Sequence, residues 1–458
     1  MNGARARLAR ALSRRRWTAG AVALGLVLRV AALLFLARFP FVGDERAYFD
    51  MTKQLLDGVR FAPDWPPGLP CYLAPFLAIF GRAEVVAMAA MVLWYVAFCG
   101  VLFALVMRIG GRRAANISLT VFAVYPTFVY HSIVPLTQLP AAVCLLVVAH
   151  LLLVLRGRRS LSIPAAIGGA LGACVLLRPS ALLLALGVPV FISVRWRAIK
   201  GALVALGVAA AVVVPWVFKV HAMTGDFVYV NYATPRNFFI GNNQWTPLYK
   251  TWWLGSHDEA GEVPAGFARK DAAIRALGPA EEDETYRRLA AEHIESRPGL
   301  FVVRTLNRAR TYFAFDTYAG TVLIKFNGLP KAVGLSVIVL DALFYIVLMV
   351  LSAVAFHAPR GLRAGRVTRA TLLWIVAGYA IPYWISFSHP TYHIPVVPLL
   401  AVPAAVLLAQ VLGMEAGALD TALTKLKQRR SIAVAVVVFL AIQVEWAVVM
   451  GLTFVGKG

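Results

Sequence analysis

Residues 18 to 45 of the chain read TAGAVALGLVLRVAALLFLARFPFVGDE. The segment 18–40 is almost entirely apolar, and a helix that crosses a membrane needs about 20 such residues. Two adjacent carboxylates, Asp44 and Glu45, follow after a short connection. The stretch therefore predicts a first membrane span that leads directly to an acid pair at the membrane surface.

The composition agrees with a membrane protein. Of the 458 residues, 60% are hydrophobic and 15% are charged, and the mean hydropathy is +0.73. Soluble domains contain about 45–50% apolar and about 25% charged residues. The four cysteines show neither a pairing pattern nor metal-ligand spacing, so we interpret them as packing residues. We predict an all-α polytopic membrane protein.

Apolar segments recur along the chain and predict about eleven spans. They are roughly 18–40, 84–107, 114–131, 138–155, 161–177, 179–194, 201–218, 331–356, 370–387, 394–413 and 431–450. No cleavage site for a signal peptidase follows the first span, so we expect it to remain as an anchor.

The net charge of +23 indicates orientation and not nucleic-acid binding, because the basic residues lie mostly in short clusters between spans. These clusters are Arg5 to Arg16, Arg108/Arg112/Arg113, Arg156/Arg158/Arg159, Arg195/Arg197/Lys200, Arg360 to Arg369, and Lys425 to Arg430. Basic loops stay in the cytoplasm, and alternation from a cytoplasmic N-terminus puts every cluster inside.

Two long loops, about 41–83 and 219–330, then lie outside, and both are nearly neutral. Apolar spacing and breaker residues predict amphipathic helices near 44–57, 281–296 and 299–315. The resulting organisation has three parts: an N-terminal membrane module 1–218 that includes the first outer loop, an outer loop region 219–330, and C-terminal membrane helices 331–458.

The acid pair allows three interpretations. A carboxylate such as Asp44 can act as a general base that takes a proton from an acceptor hydroxyl. Oxygen ligands can also hold a divalent cation. Alternatively, Asp44 and Glu45 only stabilise the start of the helix that follows.

Cations near the same side are candidates for binding a phosphate. Arg178 lies between the fifth and sixth spans, and Arg304 and Arg308 are spaced to share one face of a loop helix. Arg29 lies in the middle of the first span, so it should face the interior of the bundle. The alternatives are that Arg178 anchors its helix end at the membrane interface, that Arg304 and Arg308 lie on a solvated face, and that Arg29 reaches the interface or forms a structural pair.

Several motifs, taken in order, resemble the GT-C superfamily of integral-membrane glycosyltransferases. The resemblance is strongest to family 39 and its bacterial relatives, including protein mannosyltransferases and aminoarabinose transferases. The motifs are Asp44-Glu45, Pro66-Pro67-Gly68-Leu69-Pro70, Tyr125-Pro126, Arg178-Pro179, Gly241-Asn242-Asn243, and Tyr392 with Pro395 and Pro398. Two positions depart from that pattern: Gln138 stands where relatives have Glu, and Thr391 where many have Arg.

The resemblance implies an inverting glycosyltransferase on the outer face of a bacterial inner membrane. The donor would be a sugar on a polyprenyl phosphate, and the acceptor a lipid, glycan or protein of the cell envelope, such as lipopolysaccharide. Asp44, with Glu45, would supply the base, Arg178 first and Arg304 or Arg308 second would bind the donor phosphate, and the loop helices would form a roof. Expected substrate contacts are Tyr48, Pro67, His131, Gln138, Asn242, Asn243, Tyr392 and His393.

Two other classes remain open at this point. A glycolipid transporter or flippase would favour sites at mid-membrane depth and paired repeats, and the sequence shows neither apart from Arg29. An O-antigen ligase or polymerase also has many spans and a large outer loop. It would use a diphosphate-linked donor and lacks an Asp-Glu pair after the first helix.

Overall fold

The computed structural model describes residues 2–61, 63–156, 160–248, 263–357, 365–413 and 430–455. These residues contain helices and no strand, with 82% of the structure helical, which confirms the all-α prediction. Residues 249–262 of the second long loop and parts of three basic clusters, near 158, 360 and 425, lie outside the described residues.

The helices follow one another in chain order with short connections. They are α1 (Asn2–Leu36), α2 (Gly43–Leu56), α3 (Gly68–Phe80), α4 (Glu84–Val124), α5 (Pro126–Tyr130), α6 (Gln138–Leu155), α7 (Ser162–Leu177), α8 (Leu182–Trp196), α9 (Ile199–Thr224), α10 (Ala233–Gly241), α11 (Ala265–Arg275), α12 (Pro279–Ser296), α13 (Pro298–Tyr312), α14 (Tyr318–Lys325), α15 (Lys331–His357), α16 (Gly365–Ile385), α17 (Val397–Val411) and α18 (Arg430–Val455). Short 3-10 helices cover Pro179–Ala181 and Pro390–Val396.

Among the described residues, eight helical segments are long and apolar enough to cross a membrane. One of them, α4, contains the second predicted span and the first part of the third, which continues in α5. Gly111 interrupts it with φ 81°, a conformation that favours glycine. The predicted spans near 161–177 and 370–387 correspond to the shorter α7 and to α16. All eleven predicted segments are therefore helical, and the chain is a multi-pass membrane protein.

The three amphipathic helices predicted in the loops are also present. They correspond to α2, α12 and α13, and each boundary lies within three residues of the expected one. The second long loop additionally forms α10, α11 and α14. A bidentate ion pair between Arg236 and Asp271, at 3.0 and 2.8 Å, ties α10 to α11, and the Tyr286 hydroxyl of α12 donates to the same carboxylate.

Arg29 is fully buried and binds backbone carbonyls. Its guanidinium donates to four carbonyl oxygens and lies 3.4 Å from the centre of the Tyr95 ring. The acceptors are Gly25 in its own helix, Phe122 and Ala123 at the end of α4, and Phe128 in α5. Carbonyls at a helix C-terminus are unpaired within the helix and attract a cation. Arg29 therefore joins α1 to the end of α4. Helix α1 ends seven residues later, at Leu36, and the chain then continues to Asp44.

The loops predicted to lie outside meet at one end of the bundle. The Asn231 side chain, after α9, donates to the Asp64 carbonyl in the first loop at 2.7 Å. Thr391, before α17, donates to Asp316, after α13, at 2.7 Å. This gathering brings together residues far apart in the chain, and the candidate site lies among them.

Candidate active site at the loop end of the bundle

Asp44 and Glu45 lie in the first turn of α2 but point in different directions. Successive residues of a helix are rotated by about 100°. Asp44 is exposed, whereas Glu45 is only 4% exposed. The helix N-terminus favours both negative charges. The two carboxylates are therefore placed for different roles and not as one chelating pair.

Glu45 faces the interior and is held by α5. The Tyr130 hydroxyl donates a hydrogen bond to its Oε1 atom. Burial raises the pKa of Glu45 to about 7, and the bonds from Tyr130 and the Val42 backbone oppose this shift only in part. The inner carboxyl group is thus close to its titration point at neutral pH.

Arg178 lies in the connection between α7 and the following 3-10 helix. Its Nη1 atom donates to the Tyr383 hydroxyl at 3.1 Å, and that hydroxyl also accepts from Ser180 at 2.6 Å. The guanidinium lies 5.5 Å from the centre of the Tyr392 ring. Tyrosines from α16 and from the segment before α17 therefore fix the orientation of this cation.

No ion pair within the described part of the chain involves Arg178, and its buried Nε atom has no hydrogen-bond partner there. The charges of both Arg178 and Asp44 act on Tyr48 and on Tyr392. The pKa of Tyr48 is raised by burial, lowered by Arg178 and raised by Asp44. The cation and the exposed carboxylate are thus both close enough to act on the same two tyrosines, and the cation retains capacity for an anionic ligand.

The proline-rich motif, residues 66–70, packs against the end of α7, next to Arg178. A Cβ atom on Gly68 would lie 2.8 Å from the backbone of Leu176 and of Leu177, so only glycine fits at this contact. Pro67 directly precedes α3, and its predicted contact with a substrate stays a prediction. The motif packs α3 against the end of α7, one residue before Arg178.

His131 and Gln138 are buried at the same end. Both ring nitrogens of His131 lack a hydrogen-bond partner among the described residues, as does Oε1 of Gln138. The His131 ring packs against Tyr318 and Tyr130, with centroids 6.0 and 5.6 Å apart. Burial and the charge of Arg178 lower the pKa of His131 to about 3, so the imidazole is neutral. Neutral polar groups of this kind can donate to or accept from hydroxyls.

Arg304 and Arg308, predicted to bind phosphate, bind backbone carbonyls in this structure. Arg304 donates to the carbonyls of Asn243, at 2.9 Å, and of Thr246. Arg308 donates to the carbonyl of Gly241 and, at 2.9 Å, to that of Ile385. The two guanidinium groups therefore hold the turn after α10 and fasten it to the end of α16.

Other predicted contacts are also engaged within the protein. The amides of Asn242 and Asn243 donate to carbonyls of α10, and Asn242 accepts from Arg308 at 3.1 Å. His393 is bonded to the Tyr312 carbonyl at 2.6 Å and stacks on Tyr345. The Tyr392 ring lies 5.5 Å from the Arg178 guanidinium, and the charge of Arg178 acts on Tyr48. The roles of all these residues toward a substrate stay predictions.

We expect the replacement Arg308→Met to lower the stability of the protein by about 2–4 kcal/mol, because buried carbonyls would lose a charged donor. The measurement is the unfolding temperature in detergent, with exposed Arg288→Met as the matched control. An unchanged unfolding temperature combined with loss of polyprenyl-phosphate binding would contradict this structural role and favour the phosphate role.

The sequence interpretation missed a buried carboxylate pair. Asp316 accepts from Thr391, and Asp341 of α15 accepts from the Thr127 backbone at 2.9 Å. Burial raises the pKa of Asp316 to about 6, although hydrogen bonds from Thr391 and Thr127 oppose the shift. A lone acid in the eighth predicted span was the signal that could have revealed Asp341. The Thr391 that replaces the arginine of related motifs belongs to this network.

The pH dependence of stability follows from Glu45. Its pKa is raised in the folded state, so this contribution is complete below the ordinary value near 4.5 and is lost as the pH rises through about 7. We expect the unfolding temperature to fall between about pH 5 and pH 8, with Glu45 contributing on the order of 3 kcal/mol at most. Glu45→Gln should reduce that fall and leave only the share of groups such as Asp316, whereas exposed Glu292→Gln should not. An identical pH profile for Glu45→Gln would contradict the assignment.

The residues described do not gather three or more His, Cys, Asp or Glu side chains in a way that could hold a metal ion. The acid pair of α2 offers one exposed and one inward carboxylate. A divalent cation, if it takes part, would need oxygen ligands from the substrate beside Asp44.

Comparison with known proteins identifies the fold. No protein-family model matches the chain, and no curated protein matches it. The oligosaccharyltransferase AglB from Archaeoglobus fulgidus, solved with an inhibitory peptide and a dolichol-phosphate, superposes with a TM-score of 0.51. The two chains are 15% identical, and the alignment covers 95% of this chain and 56% of AglB. The chain therefore shares the fold of the aligned part of AglB.

Two structures of the aminoarabinose transferase ArnT from Cupriavidus metallidurans also align with this chain. Its apo structure aligns with a TM-score of 0.43 and 19% identity, covering 86% of this chain and 78% of ArnT. Its complex with undecaprenyl phosphate gives 0.44 and 18%, covering 85% and 77%. The shared fold rests on the comparison with AglB, and this chain spans just over half the length of AglB.

Proposed function

We propose that the chain is an inverting glycosyltransferase that moves a sugar from a polyprenyl-phosphate carrier to a lipid, glycan or protein acceptor. The observation that carries this proposal is Arg178. It is a tyrosine-held cation with no ion-pair partner in the described part of the chain, and its charge and that of the exposed Asp44 both act on Tyr48. The fold shared with AglB, whose structure holds a dolichol-phosphate, supports a lipid-phosphate ligand.

The charge at the phosphate explains why a cation is required. A polyprenyl-phosphate sugar is a phosphodiester with one negative charge, and its departure leaves a monoester with up to two. A preorganised cation stabilises the charge that develops on the leaving oxygen. The planar guanidinium of Arg178 can donate to two phosphate oxygens, and its Tyr383 contact limits how far it can turn.

Asp44 supplies the base in this proposal. The acceptor oxygen attacks the anomeric carbon, and its proton passes to the Asp44 carboxylate. The bond between that carbon and the phosphate oxygen breaks on the opposite face, and its electron pair leaves with the phosphate. One displacement inverts the anomeric configuration. Exposure of Asp44 leaves it accessible to an acceptor from outside the bundle.

The neutral polar groups would recognise the sugar. His131 and Gln138 have buried atoms without hydrogen-bond partners among the described residues, Tyr392 borders Arg178, and the charge of Arg178 acts on Tyr48. Aromatic faces pack on sugar rings while imidazole and amide groups bind hydroxyls. Glu45 would have a supporting role. It accepts the hydrogen bond from Tyr130 and would not contact the reacting atoms itself.

The location follows from the basic clusters. The charge pattern predicts that the loops bearing Asp44 and Arg178 are on the side of the membrane opposite the basic clusters, which supports a reaction on the outer face of a bacterial inner membrane. The acceptor would belong to the cell envelope, with lipopolysaccharide as one candidate.

The test is a transfer assay with the purified protein in liposomes, supplied with a set of polyprenyl-phosphate sugars or with the matching diphosphate donors. Product formed only from monophosphate donors supports the proposal. Transfer only from diphosphate donors would favour the ligase or polymerase, and donor translocation without any transfer would favour a flippase. Mass spectrometry of lipids that copurify with the protein would guide the choice of donor.

A further inference from the structure

Helix α13 has its polar face inside and its apolar face outside. Arg304 and Arg308 are buried against backbone carbonyls. Val302, Val303 and Leu306, on the other side, are 56%, 48% and 67% exposed. A helix that lies in water at a protein surface has the opposite arrangement. The exposed face therefore needs an apolar environment from outside the protein.

The depth of α13 is defined by its contacts with α18. Arg310 forms an ion pair with Glu445, and Gln443 accepts from the Phe315 amide at 2.9 Å and donates to the Phe313 carbonyl at 2.8 Å. Both α18 residues lie within the apolar span Ile432–Gly451. They precede its end by six and eight residues, which at about 1.5 Å each is roughly 9–12 Å. The C-terminal end of α13 therefore lies beside apolar, membrane-spanning sequence.

The surface around these contacts continues the apolar character. Val444 and Val448 of α18 are 65% and 57% exposed next to Glu445, as expected for residues that face lipid. The outward side chains of α13 thus extend a surface that already meets hydrocarbon. Charged residues of α12 such as Arg288, by contrast, are exposed and form an ordinary surface ion pair.

We propose that the face of α13 formed by Val302, Val303 and Leu306 contacts the acyl chains of the bilayer. Helix α13 is then an interfacial membrane helix and not part of a roof that faces water. Its inward arginines tie the lipid-embedded helix to the turn after α10 and to the end of α16. The loop region above the site is thereby anchored in the membrane. This inference does not depend on the proposed sugar transfer.

The test places a nitroxide spin label on α13 in the reconstituted full-length protein. Leu306→Cys and, independently, Val302→Cys are made with Cys71→Ser, since Cys71 is the exposed cysteine and the other three are buried. Arg288→Cys is the matched control on α12. The collision rates of each label with oxygen, which concentrates in hydrocarbon, and with a water-soluble nickel chelate are then compared in phospholipid vesicles.

We expect labels at 302 and 306 to collide several-fold more with oxygen than with the nickel chelate, and the label at 288 to show the reverse. Chelate accessibility at 302 and 306 equal to that at 288 would overturn the proposal. Protection from both reagents would also overturn it, because the face would then be covered by protein. Catalysis is not needed for this measurement, so failure of the proposed activity would not affect its outcome.

Discussion

Replacement of Asp44 by asparagine is expected to slow sugar transfer by a factor of about 10²–10⁴, the range typical for loss of a general base. Asparagine keeps the size of the side chain and one carbonyl oxygen but cannot accept the acceptor proton. Because Asp44 is exposed at the start of α2, the substitution should not disturb packing. The measurement is the initial rate in the liposome assay, with donor binding determined separately.

The matched control is Asp57→Asn. Asp57 is the residue that follows α2 and pairs with Arg82 on the surface, so this change removes a carboxylate near the same helix without touching the proposed site. We expect the roughly 10²–10⁴-fold slowing for Asp44→Asn and near-normal turnover for Asp57→Asn. Comparable rates for Asp44→Asn and the unmodified protein would remove Asp44 as the base.

Substitution of Arg178 is expected to have the second largest effect. Arg178→Gln should reduce turnover by about 10²–10³, as when one preorganised donor to a developing anion is removed. It should also weaken binding of free polyprenyl phosphate, because that monoester carries the charge which Arg178 neutralises. Arg178→Lys should retain part of the rate, since the charge remains but the planar, two-pronged donor is lost.

Arg82→Gln provides the control for this series. Arg82 is exposed and contacts only a surface carboxylate among the ion pairs described. Its loss should change neither turnover nor lipid binding. Unaltered polyprenyl-phosphate affinity in a folded Arg178→Gln protein would show that the phosphate binds elsewhere, with Arg304 and Arg308 as the next candidates.

Periodicity and apolarity made most of the fold predictable. The eleven apolar segments are helices, and α2, α12 and α13 lie where amphipathic spacing placed them. The sequence also predicted two separate spans, 84–107 and 114–131, and the non-helical backbone of Gly111, with φ 81° and ψ 179°, separates the two parts of α4.

Sequence predicted those features of the site that depend on neighbouring residues, and it did not predict contacts between distant parts of the chain. The position of Arg178 in a connection indicated its accessibility, but the paired tyrosine Tyr383 lies about 200 residues away, at a helix end that only the tertiary fold brings near. Arg304 and Arg308 show the reverse case. Their helical spacing suggested a shared cationic face, yet that face turns inward to carbonyls, which sequence cannot reveal.

The acid pair shows how strongly a single helical step matters. Asp44 and Glu45 are adjacent in sequence, but one rotation of about 100° separates an exposed carboxylate from one that binds Tyr130. The sequence motif contains both residues as one unit. In the proposal made above, Asp44 is the reacting group and Glu45 is the supporting group.

The central claim is that the phosphate of a polyprenyl carrier binds Arg178 at the loop end of the bundle. An experimental structure of the protein with a bound polyprenyl phosphate tests it most directly. We predict phosphate oxygens within hydrogen-bond distance of the Arg178 guanidinium, on the side of Tyr48 and Tyr392. A phosphate held at the opposite, basic end of the bundle, or one bound without any contact to Arg178, would contradict it.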